Sequence, residues 1–141
     1  MSANLDLVRS LFADWERGDF SSAEWADPEI DFVTIGAPEG EEYQEHGIPG
    51  MARGMRRFLT AWEGYRTEPE EYRELDDERV LVLVHIAGVG RTSGVDIGRV
   101  HKGGANLFHL RNGKVTRFAL YWDRDRALAD LGLAPEGDAA S

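Results

Sequence analysis

The sequence lacks cysteine, long apolar segments and an excess of basic residues. Because there is no cysteine, disulfides, thiolate metal sites and a cysteine nucleophile are excluded. No apolar run is long enough for a signal peptide or a membrane span, so we expect a cytoplasmic protein with no membrane partner. The 16 lysines and arginines are outnumbered by 26 acidic residues, and the net charge of −10 argues against nucleic acid as a partner.

The length of the chain fits one domain. Its 141 residues, 42% of them hydrophobic, are enough for a substantial core and too few for two domains. We predict a single domain over residues 1–133 and a flexible C-terminal tail over residues 134–141. The four histidines do not have metal-ligand spacing, so no metal site is predicted. No cofactor is predicted either, because the glycines at Gly88, Gly90 and Gly94 connect two predicted strands rather than a strand and a helix.

Residues 105–123 form the clearest pattern, a β-hairpin centred on Asn112-Gly113. These two residue types tolerate the positive φ angles of a two-residue type I′ turn. Side chains alternate between the two faces along each strand. One face is therefore predicted to carry Asn106, Phe108 and Leu110 from the first strand and Phe118, Leu120 and Trp122 from the second. This face has a single polar residue, Asn106, and we expect it to line a ligand cavity.

Helical spacing of apolar residues predicts two long helices. The first helix carries Leu5, Val8, Leu11, Phe12 and Trp15 and ends before Gly18. The second, over about residues 49–63, carries Met51, Met55, Phe58, Leu59 and Trp62 on one face. Strands are predicted at residues 30–35 and, as an exposed sheet edge, at residues 65–75. The polar segment 36–47 is long enough to form a lid or rim.

Residues 80–89 form an almost continuous apolar run, Val-Leu-Val-Leu-Val-His-Ile-Ala-Gly-Val. A strand with one face in water would alternate, so both faces of this strand are predicted to be buried. Helices are expected on one face and a second copy of the chain on the other. We therefore predict a homodimer through the outer face of the sheet, formed by Leu81, Leu83, His85, Leu107 and His109.

The order of these elements predicts an α+β fold. A strongly curved, mixed and mainly antiparallel sheet would wrap around the long helix as a conical barrel. This order resembles the SnoaL-like, ketosteroid isomerase-like branch of the nuclear transport factor 2-like superfamily, and so do several local strings. The strings are residues 13–19 (ADWERGD), 45–47 (EHG), 80–94, 110–115 (LRNGKV) and 121–128, the hairpin with its following Tyr-Trp-Asp being the most specific. The superfamily includes ketosteroid isomerases, polyketide cyclases and limonene epoxide hydrolases, and the resemblance implies a deep apolar pocket and a homodimer.

The resemblance places the family's catalytic residues on positions that hold other residue types. The tyrosine that ketosteroid isomerases carry on the first helix falls near Leu11, and their aspartate base falls at Val33 or Thr34. Their acid on the oxyanion side falls on Asn106, whose amide can still donate a hydrogen bond. The aspartate of the cyclases and epoxide hydrolases falls on Leu120. The usual proton-abstracting base is therefore missing.

Three residues remain as candidates for a catalytic role: Asn106, His101 and Asp31. The direction of His101 depends on a bulge or kink predicted at Gly103-Gly104, and its alternative role is that of a strand histidine near solvent. The ligand-binding residues are predicted to be Trp15, Phe32, Tyr43, Met55, Phe58, Trp62, Asn106, Phe108, Leu120 and Trp122. Each of the large apolar residues has core packing as its alternative, and Asn106 has a hydrogen bond to neighbouring backbone.

The sequence therefore predicts a protein with a hydrophobic small-molecule pocket. Its relatives by resemblance are the polyketide cyclases and ketosteroid isomerases, whose reactions involve proton transfer, but the missing base leaves open whether it is an enzyme. The alternative is a non-catalytic ligand-binding or dimeric interaction module whose cone is filled by its own side chains.

Overall fold

The computed structural model describes residues 3–17, 24–35, 43–90 and 103–133. The helices are α1 (Ala3–Glu16), α2 (Gly47–Ala61) and α3 (Arg124–Asp130). The strands are β1 (Ala26–Ile35), β2 (Tyr43–His46), β3 (Trp62–Asp76), β4 (Arg79–Gly90), β5 (Gly104–Arg111) and β6 (Lys114–Tyr121). They form one sheet in the order β2-β1-β6-β5-β4-β3, in which β1 and β6 are parallel and the other neighbours are antiparallel. The sheet is curled, and the predicted α+β cone is confirmed.

The hairpin between β5 and β6 is confirmed, and it contains a bulge that the alternation did not show. Asn112 and Gly113 have φ angles of 54° and 76°, as the turn requires. The register then shifts between the pairs His109–Arg117 and Leu110–Val115. Because of this extra residue on β6, Val115 and Phe118 both enter the same core despite their odd spacing. Between Gly104 and His109 the ladder is regular, so the predicted faces of β5 hold.

Helix α2 ends earlier than the periodicity predicts. The prediction covered residues 49–63, whereas the helix runs from Gly47 to Ala61. Trp62 is instead the first residue of β3 and pairs with Gly90 of β4. Its assignment to the helical face was therefore wrong, because sheet pairing competes with the helical pattern at this point.

Helices α1 and α2 cover the inner face of the sheet. Their apolar residues join the inward side chains of β1, β4, β5 and β6 in one core cluster. The buried members are Val8, Leu11, Phe12, Trp25, Ala26, Ile30, Phe32, Met51, Val80, Val82, Val84, Ile86, Phe108, Leu110, Val115, Phe118, Leu120 and Trp122. Burial of this much apolar surface on one side of the sheet is the main source of the fold's stability.

The outer face of the sheet carries a second apolar cluster. Leu81, Leu83 and Leu107 are buried there together with Ala127 and Leu128 of α3. Both faces of β4 are therefore buried, as its apolar run predicts. The cover on the outer side comes from the chain itself, so the burial of these leucines does not require a second copy.

Helix α3 is held in place at its first turn. Asp123 caps it by accepting a hydrogen bond from the backbone N–H of Asp125 at 3.0 Å. The buried side chain of Arg124 donates from Nη2 to the carbonyl of Val84 at 2.8 Å and pairs with the Glu70 carboxylate. Gly103 lies directly under this guanidinium, at a φ of 134°, and has no space for a side chain. At the irregularity predicted for residues 103–104, the structure shows this close approach of Arg124 to Gly103, and the pairing of β5 with β4 from Gly104 onwards has no register shift.

Candidate functional site

Asn106 lies in the middle of the inner face of the sheet. It pairs with Val82 of β4 on one side and with Leu120 of β6 on the other, and Leu120 in turn pairs with Thr34 of β1. Adjacent strands are about 4.8 Å apart, so the backbones of Thr34 and Asn106 are separated by about 10 Å. The immediate neighbours of the Asn106 amide across the sheet are therefore aliphatic.

The amide of Asn106 is buried without a protein partner for its oxygen. The residue is 2% exposed, and its Oδ1 atom accepts no hydrogen bond in the part of the chain that the structure describes. A buried polar atom without a partner costs about 1–3 kcal/mol. Since buried polar groups are almost always satisfied, this atom marks a position where a hydrogen-bond donor other than the described residues belongs.

An aromatic row lies next to Asn106 on the same face. Phe32, Phe118 and Phe108 are consecutive across β1, β6 and β5. The rings of Phe108 and Phe118 stack at 4.9 Å between centroids, and Trp15 of α1 stacks on Phe118 at 5.7 Å. These contacts place the predicted ligand residues Trp15, Phe32 and Phe108 in a packed aromatic core at this level of the sheet.

The remaining predicted ligand residues fall into two groups. Leu120, which pairs with Asn106, and Trp122, two residues further along the chain, are buried on the inner face. Met55 is partly buried against the same core. The side chains of Tyr43, Phe58 and Trp62, the whole of His101 and residues 36–42 of the predicted lid lie outside the described part of the structure.

The residues at which the resemblance places catalytic groups lie on different faces of the sheet or in the core. Thr34 is buried and lies on the inner face, whereas Val33, the other residue at which the resemblance places the isomerase base, lies on the outer face. Leu11 is buried in the core. In residues 3–17, 24–35, 43–90 and 103–133, the buried polar residues are Thr34, Asn106 and Arg124. This set contains no carboxylate and no imidazole.

Asp31, the third catalytic candidate, lies on the outer face of β1, away from Asn106. It pairs with His46 of β2, and its Oδ1 is 2.8 Å from the Nδ1 of that histidine. Glu29 Oε2 is 2.7 Å from the Nε2 of the same ring. The hydrogen bond to Asp31, followed by that to Glu29, raises the pKa of His46 above 6.5. The two carboxylates thus hold the exposed ring of His46 at the edge of the sheet.

We predict that the pKa of His46 lies above the ordinary histidine value of 6.5 and that the hydrogen bond to Asp31 contributes most to this increase. Because the folded-state pKa is raised, the stabilisation by this cluster is complete below pH 6.5 and is lost as the pH rises through the folded-state pKa. In an NMR titration of the histidine ring protons, Asp31→Asn should lower the His46 midpoint more than Glu29→Gln does. A midpoint at or below 6.5 in the wild-type protein would contradict this arrangement.

The outer face has a second histidine with an altered pKa. Burial, followed by the nearby cations Arg117 and Arg79, lowers the pKa of His109 below 6.5. His109 also lines an open surface depression of about 310 Å³ together with Asp76, Asp77, Glu78 and Arg79. The depression is on the opposite face of the sheet from Asn106 and is mainly acidic.

Over the described ranges, no group of three or more His, Asp or Glu side chains is arranged to hold a metal ion. Within the same ranges, no helix combines the length and the apolarity needed to cross a bilayer.

Comparison with known proteins gives structural neighbours only. No family model matches the sequence, and no curated protein is significantly similar to it. Its fold matches that of a nuclear transport factor 2-like protein of unknown function from Burkholderia pseudomallei, with a TM-score of 0.72 and 20% identity over 92% of this chain and 97% of that one.

Two other solved structures have the same fold. TerC, crystallised with polyporic acid, has a TM-score of 0.70 and 20% identity over 92% of this chain and 98% of its own. A protein proposed to be a polyketide cyclase from Sinorhizobium meliloti has a TM-score of 0.61 and 19% identity over 85% of this chain and 99% of its own. At these identities the matches report on the fold, and the chain therefore has the fold of the nuclear transport factor 2-like superfamily.

Proposed function

We propose that the protein binds a compact hydrophobic small molecule on the inner face of its sheet, and that Asn106 makes the polar contact. The observation that carries this proposal is the buried Oδ1 of Asn106, which accepts no hydrogen bond from the described residues. A ligand hydroxyl would donate to this oxygen, and after rotation of the amide its Nδ2 would donate to a ligand carbonyl. Apolar surroundings with one such group are typical of small-molecule sites.

The structural neighbours support a ligand of this kind. One of them was crystallised with polyporic acid, and another is proposed to be a polyketide cyclase. The fold hosts many functions, so these names support the ligand class and do not define a reaction.

Binding is better supported than catalysis. Proton transfer needs an acid or base within hydrogen-bond reach of the substrate. The positions that supply it in relatives hold Leu11, Thr34 and Leu120, and Asp31 is on the opposite face. An isomerase or cyclase activity would therefore depend on His101 or on another residue outside the described ranges.

The stacked rings of Trp15, Phe108 and Phe118 favour a second candidate function. These rings pack directly against one another, so this part of the core is filled by the protein's own side chains. If side chains of the protein also filled the space next to Asn106, no room would remain for a ligand, and the protein would be an interaction module.

Isothermal titration calorimetry with 2-naphthol and 2-methylnaphthalene distinguishes the two. These probes differ in a hydroxyl and a methyl group of similar size. We expect the wild-type protein to bind 2-naphthol about tenfold more tightly, since only the hydroxyl satisfies the amide oxygen. Asn106→Leu should remove that preference. Absence of binding by either probe, or an unchanged preference in the variant, would contradict the proposal and favour a filled interior.

A further inference from the structure

Two arginines and a histidine lie next to one another on the outer face of three neighbouring strands. His109 of β5 is the register partner of Arg79 on β4 and of Arg117 on β6. Adjacent strands are about 4.8 Å apart, so the backbones of the two arginines are about 10 Å apart with the imidazole between them. All three residues are partly buried. We refer to them as the Arg-His-Arg row.

The β-bulge of β6 lies directly beside this row. The register shifts just after the pair of His109 with Arg117, which leaves Thr116 as the extra residue on β6. Val115 and Phe118 both belong to the inner core, so the two residues between them both face outward. The Thr116 hydroxyl donates to the carbonyl of His109 at 3.2 Å and fixes the bulge next to the histidine. Bulges often re-direct a side chain beside a functional site.

Arg117 is a partly buried cation without an anionic partner. Within residues 3–17, 24–35, 43–90 and 103–133, its guanidinium makes neither an ion pair nor a hydrogen bond. Asp31 is its register partner on β1, but the carboxylate of Asp31 is engaged by His46 at 2.8 Å. Removing a charge from water costs free energy unless the charge is paired. An anion from outside the described residues is therefore the partner that this position fits.

Arg79 has free donors on the other side of His109. Its Nε donates to Oδ2 of Asp76 at 2.8 Å, and this bond uses one of the five N–H groups of the guanidinium. Arg79 and His109 also line the open surface depression of about 310 Å³. Two carboxylates of the depression, those of Asp76 and Glu78, already face the guanidinium groups of Arg79 and Arg111. The depression therefore gives a small ligand room beside the row.

The charges around His109 favour an anion at this position. Burial, followed by the cations Arg117 and Arg79, lowers the pKa of His109, and the carboxylates of Asp76 and Glu78 each raise it by less. The two cations thus dominate here, although the whole chain has a net charge of −10. A bound anion would oppose their effect and favour the protonated imidazole, which has a second N–H donor.

We propose that the Arg-His-Arg row binds a tetrahedral dianion, the phosphate group of a small phosphate monoester. Each guanidinium presents a planar fork of N–H donors that matches two phosphate oxygens. A phosphate monoester has a charge of about −1.5 to −2 at pH 7, which balances the two arginines, whereas a carboxylate or a sulfate ester has a single charge. The row lies on the opposite face of the sheet from Asn106, so this site is separate from the proposed hydrophobic one.

An NMR titration of the histidine ring protons in sodium sulfate and in sodium chloride, at equal ionic strength, tests the site. Inorganic sulfate is the probe because it remains a tetrahedral dianion over the whole titration of histidine. Sulfate should raise the His109 midpoint by about 0.5–1 pH unit, since a bound dianion favours the imidazolium. The spectrum of His109→Gln identifies the signal. His46, whose ring is held by two carboxylates, is the internal reference and should keep its midpoint.

Substitution of the arginines separates a specific site from a general salt effect. Arg117→Gln and Arg79→Gln each remove a cation that lowers the pKa of His109, so each should raise the midpoint in chloride and remove most of the further rise in sulfate. Arg117→Lys keeps the charge without the fork and should retain part of the rise. Arg53→Gln, on the exposed side of α2, is the matched control and should behave as the wild type. Circular dichroism checks that every variant is folded.

Two further probes test the class of ligand. Glycerol 2-phosphate, added at pH 8, should shift the ring signals of His109, and sodium acetate at the same ionic strength should not. A wild-type midpoint that is the same in sulfate and chloride would overturn the proposal, and so would a sulfate effect that persists in both glutamine variants. Binding of sulfate without binding of glycerol 2-phosphate, or an equal response to acetate, would overturn the assignment to a phosphate monoester.

Discussion

Asn106→Leu is expected to raise the free energy of unfolding by about 1–3 kcal/mol while it abolishes the preference for a hydroxyl-bearing ligand. The substitution replaces an amide whose buried oxygen accepts no hydrogen bond from the described residues by an apolar group of similar size. Removing a buried unsatisfied acceptor recovers its desolvation cost. Urea denaturation of the wild-type protein and the variant measures the difference in unfolding free energy, provided that the two have the same m-value.

Leu120→Asn is the matched control. It introduces a second amide at the position paired with Asn106, where the present leucine is 5% exposed. This change should lower the free energy of unfolding by about 2–4 kcal/mol. If Asn106→Leu were also destabilising, the Asn106 amide would be satisfied in the folded protein, and its availability to a ligand would be contradicted.

Phe108→Ala is expected to lower the free energy of unfolding by about 3–5 kcal/mol. Phe108 is completely buried, stacks on Phe118 at 4.9 Å and also contacts Phe12 edge-on at 6.1 Å between centroids. Truncation leaves a cavity inside this aromatic cluster. Because the Phe108 ring is packed against other side chains and is not expected to contact the ligand, the folded variant should bind 2-naphthol with nearly wild-type affinity.

Leu120→Ala separates packing from binding. Leu120 lies beside Asn106, so its truncation should weaken 2-naphthol binding as well as lower stability. Calorimetry on both variants, at a temperature where each is folded, gives the comparison. If Phe108→Ala lowered the affinity for 2-naphthol as much as Leu120→Ala does, the stacked aromatic rings around Phe108 would also line the ligand site.

Local patterns were sufficient to predict the hairpin and the inner face. The Asn112-Gly113 turn sets the pairing of β5 with β6, and period-2 alternation then places Asn106 and Leu120 on the same face. The apolar run 80–89 predicts a strand buried on both faces, and both faces of β4 are buried. These features depend on neighbouring residues, so they can be derived without the fold.

Features that depend on distant partners could not be predicted in the same way. The end of α2 coincides with the pairing of Trp62 with Gly90, and Leu81 is buried in a cluster to which α3 contributes Ala127 and Leu128. Alternation within β1 shows that Val33 and Thr34 face opposite sides, but only the packing of Phe32 and Thr34 identifies the inner one. The choice between two adjacent residues therefore required the three-dimensional structure.

The most direct test of the proposed ligand site is NMR of the protein with ¹⁵N-labelled asparagine during titration with 2-naphthol. The chain has three asparagines, Asn4, Asn106 and Asn112, so three side-chain amide signals are expected. The Asn106 signal should shift on binding while those of Asn4 and the exposed turn residue Asn112 stay in place. Binding of 2-naphthol that leaves the Asn106 signal unmoved would contradict the assignment of this amide to the ligand.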